Sequence, residues 1–111
     1  MRRSDQDTSV EEMKKWIQKF CEERNWDPYH GPKDLAIGLV TEGSELLELF
    51  RFVNEDQAAR MMKDPEQRQK IADELADSLY FILRFAQMFG FDLSQAVEDK
   101  LVKNAKKYPA P

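Results

Sequence analysis

The sequence predicts an all-α fold, and three observations indicate it. Apolar residues recur at three- and four-residue steps along several segments, which is the spacing of amphipathic helices. Only four Gly and five Pro occur among 111 residues, too few for a fold of many short strands. A chain of this length forms one domain with one small core. We therefore expect a single helical domain over residues 10–109, preceded by a flexible leader, residues 1–9.

The first helix is predicted to run from about Val10 to Arg24. Ser9 and Glu12 have the spacing of a capping box, in which each side chain accepts a hydrogen bond from the other residue's backbone N–H. An amphipathic stripe follows, formed by Met13, Trp16, Ile17, Phe20 and Cys21.

A loop rich in aromatic residues separates this helix from the second. Residues 25–33 hold two Pro and one Gly, which break helices, together with Trp26 and His30. The second helix is predicted to begin after Asp34, whose carboxylate can cap it. One acidic residue, Glu42, lies within its apolar stripe. The other members of the stripe are Leu35, Leu39, Leu46, Leu49, Phe50 and Val53.

Residues 54–64 are polar, and they are predicted either to continue the second helix or to form a short helix with a hinge. The third main helix begins at Pro65, directly after Asp64, an N-cap residue type. It ends at Gly90, a residue type that commonly terminates helices. Its apolar stripe consists of Ile71, Ala72, Leu75, Leu79, Ile82, Leu83, Ala86 and Phe89.

The last predicted helix runs from Leu93 to about Lys107, and Asp92 with Gln95 has the spacing of a capping box. Four main helices joined by short connections indicate an antiparallel four-helix bundle, alone or completed by another subunit.

Composition narrows the partners and the compartment. The 21 acidic and 17 basic residues give a net charge of −4, so no positive field attracts a nucleic-acid polymer. A single cysteine excludes an intramolecular disulfide. The sequence contains no signal peptide and no stretch of roughly 20 apolar residues. We therefore expect a cytoplasmic protein without a membrane partner.

Two pairs of acidic residues are the most informative feature. Glu42 and Glu45 on the second helix, and Glu74 and Asp77 on the third, are each three residues apart and thus about 5–6 Å apart at Cβ. If the two helices pack antiparallel, the four carboxylates converge. Such a cluster persists only if a cation compensates its charge. Oxygen-only ligands suit Mg²⁺ or Mn²⁺, which also bind phosphate oxygens, so the pattern indicates a phosphate-ester substrate.

A second interpretation of these acids stays open. The pair on the second helix would then be solvated at the flank of the stripe. The pair on the third helix would form ordinary surface ion pairs with Arg84, Lys70 or Lys103.

Both acid pairs lie in a longer pattern that resembles a known family. The sequences EGSE (42–45) and ELAD (74–77), separated by 28 residues, resemble the ExxE…ExxD signature of the MazG-like all-α nucleoside triphosphate pyrophosphohydrolases. FCEERNWDPYHGPKDLAIGLVTEGSELLELF (20–50) resembles the dCTP pyrophosphatase branch, and KLVKNAKKYP (100–109) resembles its C-terminal end. The resemblance extends over about residues 13–109.

The resemblance implies hydrolysis of a nucleoside triphosphate to the monophosphate and pyrophosphate. The substrate it favours is dCTP or a modified dCTP, and the role it implies is housekeeping of the nucleotide pool. It implies Mg²⁺, or else Mn²⁺, as cofactor, held by Glu42, Glu45, Glu74 and Asp77. One of these acids would orient or deprotonate the attacking water. It also implies a homodimer or homotetramer in which the bundle is completed across the interface.

Six substrate-binding residues follow from the same resemblance: Trp26, His30, Phe52, Phe81, Lys100 and Asn104. Trp26 corresponds to a tryptophan that lines the base pocket, where an indole can stack on a nucleobase. Phe52 and Phe81 stand where the dCTP branch often has Trp and Tyr, so two polar groups that read a base edge are missing. The substrate therefore stays open between dCTP and dUTP or another nucleotide.

Simpler interpretations of these residues stay open as well. Trp26 would be a core residue, His30 a turn residue, and Lys100 with Asn104 part of a solvated basic end of the last helix. The whole chain would then be a non-catalytic helical dimerisation module.

Overall fold

The computed structural model describes residues 2–111, and over that range the regular structure is entirely helical, which confirms the predicted fold class. A short 3₁₀ helix, Asp27–Tyr29, lies between the first two α-helices. The α-helices are α1 (Val10–Glu23), α2 (Pro32–Phe50), α3 (Glu55–Met61), α4 (Pro65–Phe89) and α5 (Leu93–Lys107).

Local capping explains where α1 and α4 begin and end. At α1, the Glu12 backbone N–H donates to Ser9 Oγ (3.0 Å) and the Ser9 N–H donates to the Glu12 carboxylate (3.4 Å), which confirms the capping box. Asp64 caps α4 as predicted. The helix ends at Gly90, whose φ of +76° lies in the left-handed region that favours glycine.

The start of α2 differs from the prediction. Gly31 is the N-cap residue and Pro32 occupies the first turn, so the helix begins before Asp34. The Asp34 carboxylate caps the helix from inside, because it accepts the Gly31 N–H at 3.3 Å. Proline is favoured in a first turn because the helix needs no N–H there.

The structure also shows how the chain runs between α2 and α4 and how α5 begins. Within residues 54–64, Glu55–Met61 forms the separate short helix α3, which Asn54 and Gln57 cap reciprocally. At α5 only half of the predicted capping box is present. Asp92 accepts the Gln95 N–H (2.9 Å), but the Gln95 side chain does not accept the Asp92 backbone N–H. Its amide donates instead to Asp99 (3.0 Å), one turn along the helix.

Helix α4 is the centre of the fold, because it packs against both α2 and α1. The buried apolar residues come from these three helices: Cys21, Leu35, Ile71, Leu83 and Ala86. The Cys21 thiol lies 2.9 Å from the Tyr80 hydroxyl, so a hydrogen bond also joins α1 to α4.

Helices α2 and α4 are antiparallel, as predicted. Gly38 of α2 faces the ring of Phe81, and a Cβ atom at Gly38 would lie 2.3 Å from that ring. One turn further along α2, Glu42 approaches Glu74, which precedes Phe81 in α4. The contacts therefore run in opposite directions along the two helices, and the missing Cβ at Gly38 permits their close approach.

The fifth helix is the least buried part of the chain. No residue of α5 is buried, and Val97, Leu101 and Val102 are each more than half exposed. The surface area of the chain is 8900 Å², against about 6400 Å² for a compact folded monomer of this mass. A single chain thus leaves apolar surface on α5 uncovered.

Before α1, residues 2–9 form no helix, and Arg3 pairs with Glu12 of α1. The flexibility expected of this leader stays a prediction. Within residues 2–111, no helix combines the length and apolar character needed to cross a membrane.

Candidate metal centre

Three carboxylates converge between α2 and α4. Glu42 and Glu45 come from successive turns of α2, and Glu74 comes from the facing turn of α4. One oxygen of each side chain lies within 4.8 Å of an oxygen of each of the other two. The antiparallel packing of the helices thus produces the convergence that the spacing predicts.

Two of these carboxylates are poorly compensated. Burial, together with the neighbouring carboxylate of Glu45, raises the pKa of Glu42 and of Glu74 above the ordinary value. Glu42 Oε2 and Glu74 Oε2 are buried without a hydrogen-bond partner. No ion pair among residues 2–111 includes any of the three acids. Over the described part of the chain, the structure therefore does not contain the surface ion pairs of Glu74 and Asp77 with Arg84, Lys70 or Lys103 that the second interpretation proposed.

The donor set fits a hard divalent cation. Only carboxylate oxygens are offered, and the two buried oxygens without partners are atoms that a cation would satisfy. Asp77, one turn after Glu74, is exposed and does not belong to the converging three. Its charge nevertheless helps to raise the pKa of Glu42 and Glu74, so it lies close to the cluster. That all four acids bind the metal, as expected from the sequence, stays a prediction.

The aromatic loop brings Trp26 and His30 together. The Trp26 ring is 39% exposed and meets two other rings edge-on, that of Phe20 at 5.7 Å and that of His30 at 6.1 Å between centroids. Asn25, with φ +56°, turns the chain out of α1, and the Trp26 N–H then donates to the Cys21 carbonyl at 3.0 Å. The indole is thus held at the surface with part of its area available to a ligand.

Arg84 connects α4 to this loop, a role that was not predicted from the sequence. Its side chain is only 1% exposed and donates to the carboxylate of Asp27, to His30 Nδ1 (2.9 Å) and to Gln87 Oε1 (2.6 Å). The interpretation of Arg84 as a surface ion-pair partner of Glu74 and Asp77 is therefore wrong, because its charge is buried and paired with Asp27. A signal was present, since Arg84 stands between Leu83 and Phe85 within an apolar run.

Phe81 lies one turn beyond Asp77 and borders an apolar cavity. Its ring packs on Gly38 and meets the Tyr80 ring edge-on at 5.0 Å. The cavity, about 320 Å³, opens between α2, α4 and α5 and is lined by apolar side chains, including Leu39 and Phe85. Phe81 therefore offers a ring surface, and no polar atom, to this space.

The other predicted substrate-binding residues lie elsewhere. Phe52 follows α2 and is 83% exposed, with the Arg51 guanidinium 5.0 Å from its ring centroid. Lys100 is exposed and Asn104 half-buried on α5. Over residues 2–111, no hydrogen bond or ion pair joins the side chains of these three residues to the acid cluster. Their roles stay predictions.

Comparison with known proteins identifies the family. Residues 38–111, about two thirds of the chain and including all four acids of the two pairs, match the profile of the MazG-like family. The chain belongs to the MazG-like family. The resemblance noted in the sequence is thereby confirmed.

Relatives of this MazG-like chain include two mammalian proteins named dCTP pyrophosphatase 1. The Mus musculus protein is 32% identical over 101 residues, which cover 91% of this chain and 59% of the relative. The Homo sapiens protein is 31% identical over 102 residues, 92% of this chain and 60% of the relative. The chain thus spans about three fifths of the length of these relatives.

A solved structure supports the helical arrangement along the whole chain. The crystal structure of a pyrophosphatase from Archaeoglobus fulgidus superimposes with a TM-score of 0.86 at 28% sequence identity, and the match covers 99% of both chains. The match therefore includes the facing helices α2 and α4, which carry the acids.

Proposed function

We propose that this MazG-like chain hydrolyses a nucleoside triphosphate, with dCTP or a modified dCTP as the preferred substrate, to the monophosphate and pyrophosphate. The observation that carries the proposal is the carboxylate cluster of Glu42, Glu45 and Glu74, with two buried oxygens that lack partners. The relatives named dCTP pyrophosphatase 1 and the archaeal pyrophosphatase support this reaction class.

The acids would hold Mg²⁺, or else Mn²⁺. Glu42 and Glu74 would supply oxygens from the half-buried side of the cluster, and Glu45 and Asp77 would supply oxygens from its exposed side. A bound divalent ion neutralises triphosphate charge and lowers the pKa of a coordinated water. One of these four acids would orient or deprotonate the attacking water.

The base would bind at the aromatic side of the site. Trp26 supplies a stacking surface, which is worth roughly 1–3 kcal/mol for a nucleobase. The substrate-binding set that the family resemblance implies is completed by His30, Phe52, Phe81, Lys100 and Asn104. This part of the proposal rests on the partly exposed indole and on the similarity to the mammalian relatives.

A second substrate assignment is favoured by Phe81. The apolar cavity beside its ring offers no side-chain hydroxyl that selects a particular base edge. Sites that lack such polar contacts discriminate weakly between substrates. The same hydrolysis of dUTP or another nucleotide is therefore the alternative to dCTP.

We also propose that the protein is a homodimer or homotetramer. The surface area of 8900 Å² is well above the value of about 6400 Å² expected for a compact monomer. The radius of gyration of 16.7 Å is likewise above the roughly 13 Å expected for this length. A second copy covering α5 would account for both. Sedimentation equilibrium tests this, and a monomer at micromolar concentration would contradict it.

The cytoplasmic location stays a prediction.

The decisive experiment is a pyrophosphate-release screen over unmodified and modified nucleoside triphosphates with Mg²⁺. We expect release with a cytosine nucleotide foremost and none with the Glu45→Gln variant. Release that is fastest with dUTP would select the second substrate assignment. If no nucleotide is hydrolysed and none raises the melting temperature, the chain is a helical dimerisation module and the proposal is wrong.

A further inference from the structure

Arg84 is the one charged side chain of residues 2–111 that is fully buried. Its guanidinium is the donor in each of its hydrogen bonds. The guanidinium donates to Asp27, the first residue of the 3₁₀ helix in the aromatic loop, to His30, which follows that helix, and to Gln87 on its own helix. An internal charge of this kind is retained in a core only when its donors are satisfied.

The bond to His30 has a chemical consequence. A guanidinium carries donors and no acceptor, so Arg84 Nε–H must donate to His30 Nδ1, 2.9 Å away. That nitrogen must therefore hold a lone pair, and the proton of the neutral ring lies on Nε2. Burial, and next the positive charge of Arg84, lower the pKa of His30, which keeps the ring neutral near pH 7.

We propose that Arg84 is a positioning residue: it holds His30 as the neutral Nε2–H tautomer, so that the ring presents a hydrogen-bond donor to the nucleobase stacked on Trp26. The choice of a nucleobase rests on the proposed function; the tautomer does not. A neutral donor suits a base carbonyl or an unprotonated ring nitrogen, whereas a cationic imidazolium would suit a phosphate. The position of His30 beside the Trp26 ring, 6.1 Å between centroids, places this donor on the aromatic side of the site.

The tautomer can be measured on the wild-type chain, because His30 is the only histidine. We expect ¹⁵N spectra near pH 7.5 to show one form, with a bound proton on Nε2 and none on Nδ1. A coupling across the hydrogen bond between Arg84 Nε and His30 Nδ1 should also be present. A protonated Nδ1, or a ring in rapid exchange between both tautomers, would overturn the inference whether or not any variant folds.

Arg84→Met tests the cause. In a folded Arg84→Met chain, both tautomers should be populated and the pKa of His30 should rise towards its ordinary value of 6.5. Arg68→Met, which removes the other arginine of α4 from the surface, is the matched control and should leave the His30 spectrum unchanged. An unchanged tautomer and pKa in Arg84→Met would show that Arg84 only braces the loop.

Ligand titration and kinetics test the role in binding. Cytidine monophosphate should shift the His30 Nε2 signal and pyrophosphate alone should not; the reverse result would overturn the assignment to the base. Arg84→Met should raise KM about 10-fold, the effect of one hydrogen bond, with kcat within about twofold of wild type. If the chain hydrolyses no nucleotide, the proposed function fails while the wild-type tautomer measurement still stands or falls by itself.

Discussion

Helix α4 carries two charged clusters that face the interior, and they are built in opposite ways. At Glu74, carboxylates meet other carboxylates, and two buried oxygens have no partner. Two to three turns further along, the guanidinium of Arg84 meets a carboxylate, an imidazole and an amide. One cluster is satisfied within the chain, and the other is not.

The difference indicates where a ligand belongs. In the arginine cluster, each nitrogen of the buried guanidinium has an acceptor, so the charge needs no ligand and can hold neighbouring parts of the structure in place. A cluster of like charges with unmatched buried oxygens is costly unless a cation completes it. We therefore assign chemistry to the acid cluster and positioning to the arginine cluster.

The largest expected effect comes from the acid cluster. Glu45→Gln should lower kcat/KM by at least about 100-fold, because a ligand of the proposed metal is lost. It should not unfold the protein, since one of the repelling charges is removed. Circular dichroism and pyrophosphate release measure the two effects. Glu48→Gln, exposed on the same helix, is the control and should retain activity. Full activity of Glu45→Gln would remove this acid from the site.

Metal binding should distinguish the two clusters next. At a Mg²⁺ concentration 100 times its Kd, the wild type should gain about 2.7 kcal/mol of unfolding free energy. Arg84→Met should gain as much, because its cluster does not hold the metal, whereas Glu45→Gln should gain clearly less. Thermal melting with and without Mg²⁺ measures this. Equal stabilisation of all three proteins would mean that the ion binds elsewhere.

Trp26→Ala tests the loop that the arginine cluster holds. Loss of stacking worth roughly 1–3 kcal/mol should raise KM about 10- to 100-fold, with a smaller effect on kcat. Steady-state kinetics with the best substrate measures this. Trp16→Ala, an exposed tryptophan on α1, is the control. A KM for Trp26→Ala equal to that of wild type for every nucleotide would place the base elsewhere.

Asp27→Ala tests how much the matched cluster contributes to stability. We expect a loss of about 1–3 kcal/mol, because the buried Arg84 loses its charged acceptor. Glu48→Ala removes an exposed ion pair with Arg51 and should cost at most about 0.5 kcal/mol. Urea denaturation measures both variants. Equal losses would mean that the buried pair has no special importance.

The smallest effects are on the pH dependence of stability, and the two clusters should act with opposite sign. The pKa of His30 is lowered, so the folded state binds fewer protons than the unfolded state. The stability it contributes is present above pH 6.5 and is lost as pH falls through the folded pKa.

The acids Glu42 and Glu74 have raised pKa values, so their contribution is present below pH 4.5 and is lost as pH rises through the folded values. Urea midpoints without metal, measured from pH 4 to 8, should therefore change less than in the wild type in His30→Gln as pH falls below 6.5, and less in Glu42→Gln as pH rises above 4.5. Slopes that match wild type in both variants would contradict these shifts.

Most helix boundaries were predictable because the residues that end a helix lie within a few positions of each other. Local backbone hydrogen bonds and dihedral preferences explain the helix ends at Ser9 with Glu12, at Asp64 with Pro65, and at Gly90. The exceptions are also local. At α2, Gly31 and Pro32 precede the predicted Asp34 cap, and two capping arrangements separated by three residues are hard to rank by propensity alone.

Within the candidate site, the neighbours on one helix are predictable from the sequence, whereas the contacts between the two helices are not. Three-residue spacing on a helix determines that Glu42 and Glu45 are neighbours, whatever the rest of the chain does. That Glu74 joins them, while Asp77 stays at the edge, depends on the rotation and register of α4 against α2. Register depends in turn on close contacts such as that of Gly38 with Phe81.

The helical class, most of the helix ends and the family can be predicted from the sequence, because they depend on local spacing and on residue patterns. Which charges are matched depends on the tertiary structure. Arg84 and the acids of α4 look alike in sequence as polar residues among apolar ones. Their partners lie more than 25 residues away along the chain, at Asp27 and His30 for one and at Glu42 and Glu45 for the other. Long-range packing alone brings those partners within bonding distance.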